Sequence, residues 1–266
     1  MILALFALTW ADDYGRSPTQ ANVTSVYDGD TFTLDNGDKV RVGGVNTPEL
    51  RPLEPYGVEA REATEAFVTG KDVTLIYGSV ERDSYGRLLA WVEVEGDPLA
   101  DHLISRGLAH VFLIPPVETG NVEAMLAAQD EARSNKRGIW STEDYAGTLH
   151  MTSFHANAAG DDRENVNGEY LRVCNVTTEA VSLDGYRITD ASGNSWPFPA
   201  MVVPAGHTVK VHSGVGDHQM DPGSQLAIYL GSPVPVWNNK SDVATIFDRY
   251  DQVVDRREHA VKKATP

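Results

Sequence analysis

The chain has 266 residues, which is enough for two domains of ordinary size, and 41% of them are hydrophobic, as in folded globular proteins. No apolar run is long enough to cross a bilayer, so we predict no transmembrane segment. The formal net charge of −16 excludes a generally basic surface. It indicates either an acidic surface that keeps the protein soluble or a halophilic environment, where about 1 M salt shortens the screening length to about 3 Å.

Residues 1–11 are predicted to be a secretory signal. Residues 2–10 are almost wholly apolar, and Thr9 and Ala11 supply the small residues of a cleavage site. No Lys or Arg precedes the apolar segment, so a buried N-terminal strand is the alternative interpretation. With export, we expect the protein to be secreted or held at the cell surface.

Residues 20–146 combine short strands with helices. Period-two alternation of apolar residues predicts strands from about residue 23 and over residues 32–34, 40–42, 73–77 and 88–94. The dipeptide Asn36-Gly37 is typical of a tight hairpin turn. Helical spacing predicts one helix through Ala60, Ala63 and Phe67, a second over residues 99–104 that ends at Gly107, and a third from Val122 to about Lys136. These elements predict a compact α+β domain arranged as a small barrel.

Residues 148–258 have a different pattern, in which helical spacing almost disappears. Short apolar alternations recur near residues 171–173, 181–183, 209–211 and 226–230, and turn signals such as Asp184-Gly185 and Pro222-Gly223 separate them. This pattern predicts an all-β sandwich domain. The single cysteine, Cys174, excludes an intrachain disulfide and a cysteine zinc cluster, and we expect it to be a packing residue.

Three polar motifs in the first half carry the candidate chemistry. They are Asp28-Gly29-Asp30-Thr31, Arg41 followed by Asn46-Thr47-Pro48-Glu49, and Asp83-Ser84-Tyr85-Gly86-Arg87. Each motif taken alone is typical of an ordinary turn or helix start. Together they supply carboxylates for a hard cation, a further carboxylate and two arginines. Phosphodiester hydrolysis needs these groups, because a cation polarises the phosphate, a carboxylate orients or deprotonates the water, and arginines neutralise the phosphoryl oxygens.

The order and spacing of these motifs resemble the staphylococcal nuclease family, from about Val23 to Trp140. The matching segments are Val26-Tyr27-Asp28-Gly29-Asp30-Thr31, Val40-Arg41-Val42, Thr47-Pro48-Glu49, Tyr56-Gly57-Val58-Glu59-Ala60, Asp83-Ser84-Tyr85-Gly86-Arg87-Leu88-Leu89-Ala90 and Gly138-Ile139-Trp140. The resemblance implies an OB-type five-stranded barrel with three helices. It also implies a calcium-dependent enzyme that cleaves DNA and RNA.

The resemblance further implies catalytic and substrate-binding roles. Glu49 resembles the general base that orients the attacking water. Arg41 and Arg87 would bind the phosphate and stabilise the transition state. Tyr85 would line the nucleotide pocket.

The implied metal ligands are Asp30, Asn46 and the backbone carbonyl of Thr47, with Asp28 close by in the outer shell of the metal. The family usually has Asp where this chain has Asn46. An amide oxygen can bind a cation but brings no charge, so we predict weaker calcium binding, or activity only at high metal concentration. Another divalent cation could also serve. A second departure is in residues 110–115, which lack the tyrosines that the staphylococcal enzyme has after this strand, so contacts to the outer phosphate and base are expected to differ.

Residues 148–258 resemble a lamin-tail domain, which is an immunoglobulin-like sandwich. The matching segments are Asn167-Gly168-Glu169-Tyr170-Leu171-Arg172-Val173-Cys174-Asn175, Val181-Ser182-Leu183-Asp184-Gly185-Tyr186, Val211-His212-Ser213-Gly214, Val236-Trp237-Asn238-Asn239 and Val243-Ala244-Thr245-Ile246-Phe247-Asp248. The resemblance implies attachment or targeting and does not name a ligand. His207, His212 and His218 could bind a metal, but surface histidines are the preferred interpretation, because the carboxylate or cysteine spacing of a zinc site is missing.

Three hypotheses for the function follow. The preferred one is a monomeric, metal-dependent nuclease that hydrolyses DNA, RNA or both in its N-terminal domain. The second is a catalytically silent nucleic-acid-binding barrel. The joint presence of Asp30, Arg41, Glu49 and Arg87 argues against it, because a pure binder needs no water-activating carboxylate. The third is a surface-attachment protein in which the sandwich has the main role and binds an unknown ligand.

Overall fold

The computed structural model describes residues 17–116 and 120–260, and the predicted signal at residues 1–11 lies outside them. Within the described residues, no helix is long and apolar enough to span a membrane. A closed barrel with three helices precedes a β-rich domain, which confirms the predicted fold classes.

The N-terminal domain is built on a five-stranded barrel. Its described elements are β1 (Gln20–Val26), β2 (Thr31–Leu34), β3 (Lys39–Val42), β4 (Val45–Asn46), α1 (Gly57–Val68), β5 (Asp72–Arg82), β6 (Leu88–Val94), β7 (Asp97–Pro98), α2 (Leu99–Ser105), β8 (His110–Val111) and α3 (Val122–Ser134). The barrel order is β1-β2-β3-β6-β5, and β5 pairs with β1 to close it. Neighbouring barrel strands are antiparallel, except for the parallel pair β3 and β6.

The alternation in the sequence places every second strand residue in the barrel core. Phe32, Leu34 and Val40 are buried there, together with alternate residues of β6. Gly37 forms the predicted hairpin turn with a φ of 88°, a conformation that glycine adopts without strain. β5 extends beyond its predicted end at residue 77 to Arg82, because Arg82 pairs with Leu88 of β6 after an irregular stretch, and the side chains of its last four residues are exposed. Without an apolar alternation, sequence patterns could not reveal this extension.

The C-terminal domain is the predicted β-sandwich. Its described strands are β9 (Leu149–His155), β10 (Tyr170–Asn175), β11 (Val181–Ser182), β12 (Arg187–Thr189), β13 (Ser195–Pro197), β14 (Val202–Val203), β15 (Thr208–His212), β16 (Leu226–Tyr229), β17 (Ser241–Phe247) and β18 (Val253–Ala260). One sheet has the order β16-β15-β10-β9 and the other β13-β12-β17-β18, and β11 and β14 form a small ribbon. Apolar residues from both sheets share one buried core.

The two domains share a buried interface. Its apolar centre includes Ile139, Trp140 and Tyr145 after α3, and Cys174 and Val176 from the sandwich. Cys174 is fully buried, as expected for a packing residue.

Backbone hydrogen bonds also cross the interface. The Leu113 N–H donates to the Gly206 carbonyl at 2.8 Å, and the Thr208 N–H donates to the Leu113 carbonyl at 3.2 Å. These contacts hold the sheet that contains β10 and β15 beside the segment that follows β8.

Candidate active site

Asp28 and Asp30 lie in the connection between β1 and β2, and both are buried. The Asp30 N–H donates to Asp28 Oδ1 at 3.2 Å, and Thr31 Oγ1 donates to Asp30 Oδ1 at 3.0 Å. Gly29 packs so tightly that a Cβ atom would lie 2.7 Å from the Thr47 side chain. The absence of a side chain at this position therefore lets the two carboxylates lie close together against the barrel.

Arg41 lies at the centre of the polar site. The β2–β3 register pairs Arg41 with Thr31, the residue next to Asp30. Its guanidinium donates to the Val42 and Val45 carbonyls at 2.7 and 2.8 Å, and to Asn46 Oδ1 at 3.0 Å. It also forms an ion pair with Asp30 Oδ2 at 3.1 Å. These partners fix the guanidinium in one orientation.

Negative charge exceeds positive charge around the two aspartates. Burial, and then repulsion by Asp30, raises the pKa of Asp28 to about 7, although Arg41 lowers it. A buried set of oxygen donors with excess negative charge fits a hard divalent cation. In the described ranges 17–116 and 120–260, no three His, Cys, Asp or Glu side chains meet as a metal site. A cation here would therefore also need the Asn46 amide oxygen and the Thr47 carbonyl.

Glu49 lies in the loop between β4 and α1, where a second glutamate holds its backbone. The Glu49 N–H donates to Glu54 Oε2 at 2.9 Å, and the Glu54 N–H donates to the Glu49 carbonyl at 2.8 Å. Arg257 of the sandwich binds Glu54 Oε1 at 2.7 Å. Burial, and then the charges of Asp30 and Glu54, raise the pKa of the Glu49 carboxyl. Both domains therefore contribute to the position of this carboxyl.

Tyr85 and Arg87 lie in the hairpin between β5 and β6. The Asp83 carboxylate accepts both of their backbone N–H groups at 2.9 Å and the Arg87 Nε–H at 2.7 Å. The Arg87 guanidinium lies 5.6 Å from the centroid of the Tyr85 ring. Tyr85 is 70% exposed. The hairpin thus presents an exposed aromatic ring beside a guanidinium group.

A groove of about 950 Å³ between the domains brings most of the predicted residues together. The residues from the barrel domain that line it include Asp28, Asp30, Arg41, Asn46, Glu49, Tyr85 and Arg87. Thr47 does not line it, since its side chain is buried and its N–H donates to Asp30 Oδ2 at 3.0 Å. The sandwich contributes Thr152, Ser153, His155, Tyr170 and Arg172. Sequence reasoning predicted the first group and missed the second.

Comparison with known proteins decides the family. Residues 39–142 match the family described as staphylococcal nuclease homologue, and residues 142–260 match the lamin tail domain. The thermonuclease of Staphylococcus hyicus is 36% identical over 126 residues, which cover 45% of this chain and 74% of that protein. The chain belongs to the staphylococcal nuclease family. The predicted order, a nuclease-family domain followed by a lamin-tail domain, is confirmed.

Two further relatives match the nuclease-family domain. Endonuclease YncB of Bacillus subtilis (strain 168) is 35% identical over 126 residues, which cover 44% of this chain and 60% of YncB. An uncharacterized endonuclease of Escherichia coli is 34% identical over 149 residues, which cover 53% of this chain and 89% of that protein.

Three residues around the site were missed by sequence reasoning. Thr64 of α1 is fully buried, and its hydroxyl donates to the Gly29 carbonyl at 2.6 Å. Its signal was a polar residue in the buried helical stripe that contains Ala60. Glu54 and Arg257 carried no such signal, because their ion pair joins residues that are distant in sequence and lie in different domains.

Residues 110–115 lie next to Arg41 and place an aromatic ring and a buried histidine there. The Arg41 guanidinium lies 5.7 Å from the centroid of the Phe112 ring. His110 is fully buried, and burial lowers its pKa to about 4. This stretch therefore gives Arg41 an apolar backing.

His207, His212 and His218, the histidines considered as metal ligands, each contact a separate backbone group. His207 Nδ1 contacts the Ala205 carbonyl at 3.0 Å, and His218 Nδ1 accepts the Tyr229 N–H at 3.2 Å. His212 Nδ1 contacts a different backbone carbonyl at 2.8 Å. This arrangement agrees with the interpretation of these residues as ordinary surface histidines.

Proposed function

We propose that this protein is a calcium-dependent nuclease that hydrolyses phosphodiester bonds in DNA or RNA. The observation that carries the proposal is the meeting of Asp30, Arg41 and Glu49 in one groove. The relatives named thermonuclease and endonuclease support nuclease activity. In this proposal the chain is exported, acts as a monomer, and uses its lamin-tail domain for attachment or targeting.

Glu49 is the proposed general base. A carboxylate with a raised pKa accepts a proton from water more effectively near neutral pH than an ordinary carboxylate does. Burial and the nearby negative charges raise the pKa of Glu49 in this way. Its backbone contact with Glu54 supports the role, because it leaves the Glu49 carboxyl group to orient the attacking water.

Arg41 and Arg87 are the proposed phosphate ligands. Arg41 is held by backbone carbonyls and by Asp30, so its charge is already oriented before substrate binds. Asp83 binds Arg87 through Nε, and among the described residues no partner holds its two terminal nitrogens. Those nitrogens can therefore donate two parallel hydrogen bonds to phosphoryl oxygens, which stabilises the negative charge of the transition state.

Asp30, Asn46 and the Thr47 carbonyl are the proposed holders of the cation. Calcium bound there would supply positive charge that polarises the phosphate. The Thr47 N–H and Arg41 both contact Asp30 Oδ2, so they orient this carboxylate. Asp28 lies next to Asp30, in the outer shell of the cation, and is not a direct ligand.

The proposal predicts cleavage that depends on calcium and on Arg87. Single-stranded DNA and RNA should be cleaved with excess calcium and remain intact with a chelator. Arg87→Ala should lower kcat/KM by about 100-fold or more, because it removes charge stabilisation from the transition state. Arg82→Ala is the matched control, since Arg82 lies on the same hairpin but binds Asp38 at 3.1 Å.

Two results would contradict this proposal. A folded protein that binds nucleic acid and cleaves none with any divalent cation would favour the silent binding barrel. Near-normal cleavage by Arg87→Ala would remove Arg87 from the proposed phosphate ligands.

Asn46→Asp is expected to strengthen calcium binding. The Asn46 amide nitrogen donates to the Thr47 carbonyl at 3.3 Å, so it competes with a cation for this oxygen. An aspartate removes that donor and adds a negative charge, which should lower the calcium concentration for half-maximal activity by about 10-fold. Calcium titration calorimetry gives a second readout, and Asn36→Asp in the exposed hairpin turn is the control. An unchanged or higher calcium requirement would argue against a metal-ligand position at residue 46.

A further inference from the structure

Four ring-bearing side chains form a row across one sheet of the lamin-tail domain. His155, Tyr170, His212 and Tyr229 are direct cross-strand partners on β9, β10, β15 and β16. The ring centroids of His155 and Tyr170 lie 4.3 Å apart, and those of His212 and Tyr229 lie 4.9 Å apart, both in stacked geometry. Tyr170 and His212 lie 6.0 Å apart. We call these four residues the aromatic row, and its exposed end is His155.

Two cations lie beside the aromatic row on the same face of the sheet. Arg172 and Lys210 are cross-strand partners, and each is two residues along its strand from Tyr170 or His212. Lys210 Nζ lies 3.9 Å from the centroid of the Tyr170 ring. In the part of the chain that the structure describes, neither cation forms an ion pair with a carboxylate.

The electrostatic setting of these cations favours an anion. Burial, and then the charge of Arg172, lowers the pKa of Lys210. Arg41 and Arg87 are paired with aspartates, whereas among the described residues no carboxylate pairs with Arg172 or Lys210. A phosphate that approaches this pair would meet uncompensated positive charge, in a protein whose net charge is −16.

The aromatic row is continuous with the candidate active site. His155, Tyr170 and Arg172 line the same groove as Asp30 and Glu49. Tyr85 of the nuclease-family domain lines this groove together with Tyr170. Burial, and then interaction with Tyr85, raises the pKa of Tyr170 to about 12. A nucleic-acid strand that occupies the groove can therefore continue onto the sheet without leaving the protein surface.

We propose that the aromatic row, together with Arg172 and Lys210, binds the single-stranded nucleic acid that extends beyond the cleaved phosphate. The inference rests on the proposed function, since this strand is the substrate of the nuclease. Arg172 and Lys210 bind phosphate oxygens. The exposed ring of His155 and the polar atoms of the other rings in the row contact bases. Surfaces that bind single strands combine a cationic path with aromatic rings in this way.

Cross-strand pairs of aromatic residues also stabilise sheets, so a test must separate binding from folding. We would measure binding by fluorescence anisotropy in a chelator, where the full chain should not cleave. The probes are labelled oligothymidylates of about 16 and about 4 nucleotides, the limits of common single-strand site sizes. We expect wild type to bind the long probe at least about tenfold more tightly, because only this probe reaches the row.

Two variants test the row and the cations separately. His155→Ala removes an exposed ring and should weaken binding of the long probe by about tenfold, with little effect on the short probe. Lys210→Met keeps most of the side-chain length and removes the charge. It should reduce the slope of log affinity against log salt concentration by about 0.7, the value for one phosphate contact on a single strand. Tyr250→Ala and Lys240→Met, at exposed positions outside the groove, are the matched controls.

The outcomes separate this inference from the proposed function. If wild type cleaves nucleic acid but both variants bind the long probe as wild type does, the proposed role of the aromatic row and its cations is wrong and the nuclease proposal stands. If wild type cleaves nothing but the variants lose affinity as expected, binding by the aromatic row stands and the nuclease proposal fails. Equal affinity of wild type for both probes would also overturn binding by the aromatic row. Thermal melting of each variant verifies that it is folded.

Discussion

Glu49→Gln is expected to lower kcat by about 100- to 10,000-fold. Glutamine keeps the size of the side chain and can still contact water, but it cannot take a proton from water at working pH. The loop should keep its position, because Glu49 contacts Glu54 through its backbone N–H and carbonyl. Single-turnover cleavage with saturating enzyme measures the chemical step, and anisotropy in a chelator measures substrate affinity.

The control for this variant is Glu59→Gln, which changes an exposed glutamate on α1. It removes the same charge from the protein and should leave cleavage unchanged. A group that acts on the attacking water affects turnover far more than binding. An equal loss of affinity and turnover in Glu49→Gln would therefore contradict the general-base role, and an unchanged rate would remove Glu49 from the mechanism.

Gln129→Ala is expected to lower the free energy of unfolding by about 2 to 4 kcal/mol. Gln129 of α3 is buried between the domains. Its Oε1 accepts the Val111 N–H at 2.7 Å, and its Nε2 donates to the Val176 carbonyl at 3.1 Å. Alanine leaves a buried Val111 N–H without this partner and opens a cavity, and both effects destabilise the folded protein. Urea unfolding, followed by tryptophan fluorescence, measures the change.

Two companion variants separate the hydrogen bonds from the packing. Gln129→Met fills most of the volume but makes neither bond, so it should retain much of the destabilisation. Asp130→Ala, at the exposed neighbour on the same helix, should change stability by less than about 0.5 kcal/mol. If Gln129→Ala unfolds at the same urea concentration as Asp130→Ala, the proposed bridge between the domains contributes nothing measurable.

The sequence predicted the fold classes and much of the candidate site, because both depend on local patterns. Alternating apolar residues such as Phe32 and Leu34 report which side of a strand faces the core. The Asn36-Gly37 turn then sets the register that pairs Thr31 with Arg41 and so brings Arg41 to Asp30. The order of the motifs predicted that Glu49 and Arg87 belong to one site, and both residues line the groove.

The contribution of the second domain to the candidate site was decided only by the tertiary structure. Two contacts join residues that are distant in sequence: the Arg257–Glu54 ion pair and the Gln129–Val176 hydrogen bond. Tyr170 likewise lines the same groove as residues of the barrel domain. Periodicity and turn residues describe how a segment meets its own neighbours and solvent. The orientation of two folded domains depends instead on complementary packing and hydrogen bonding over an interface assembled from many separate segments, and no local pattern records it.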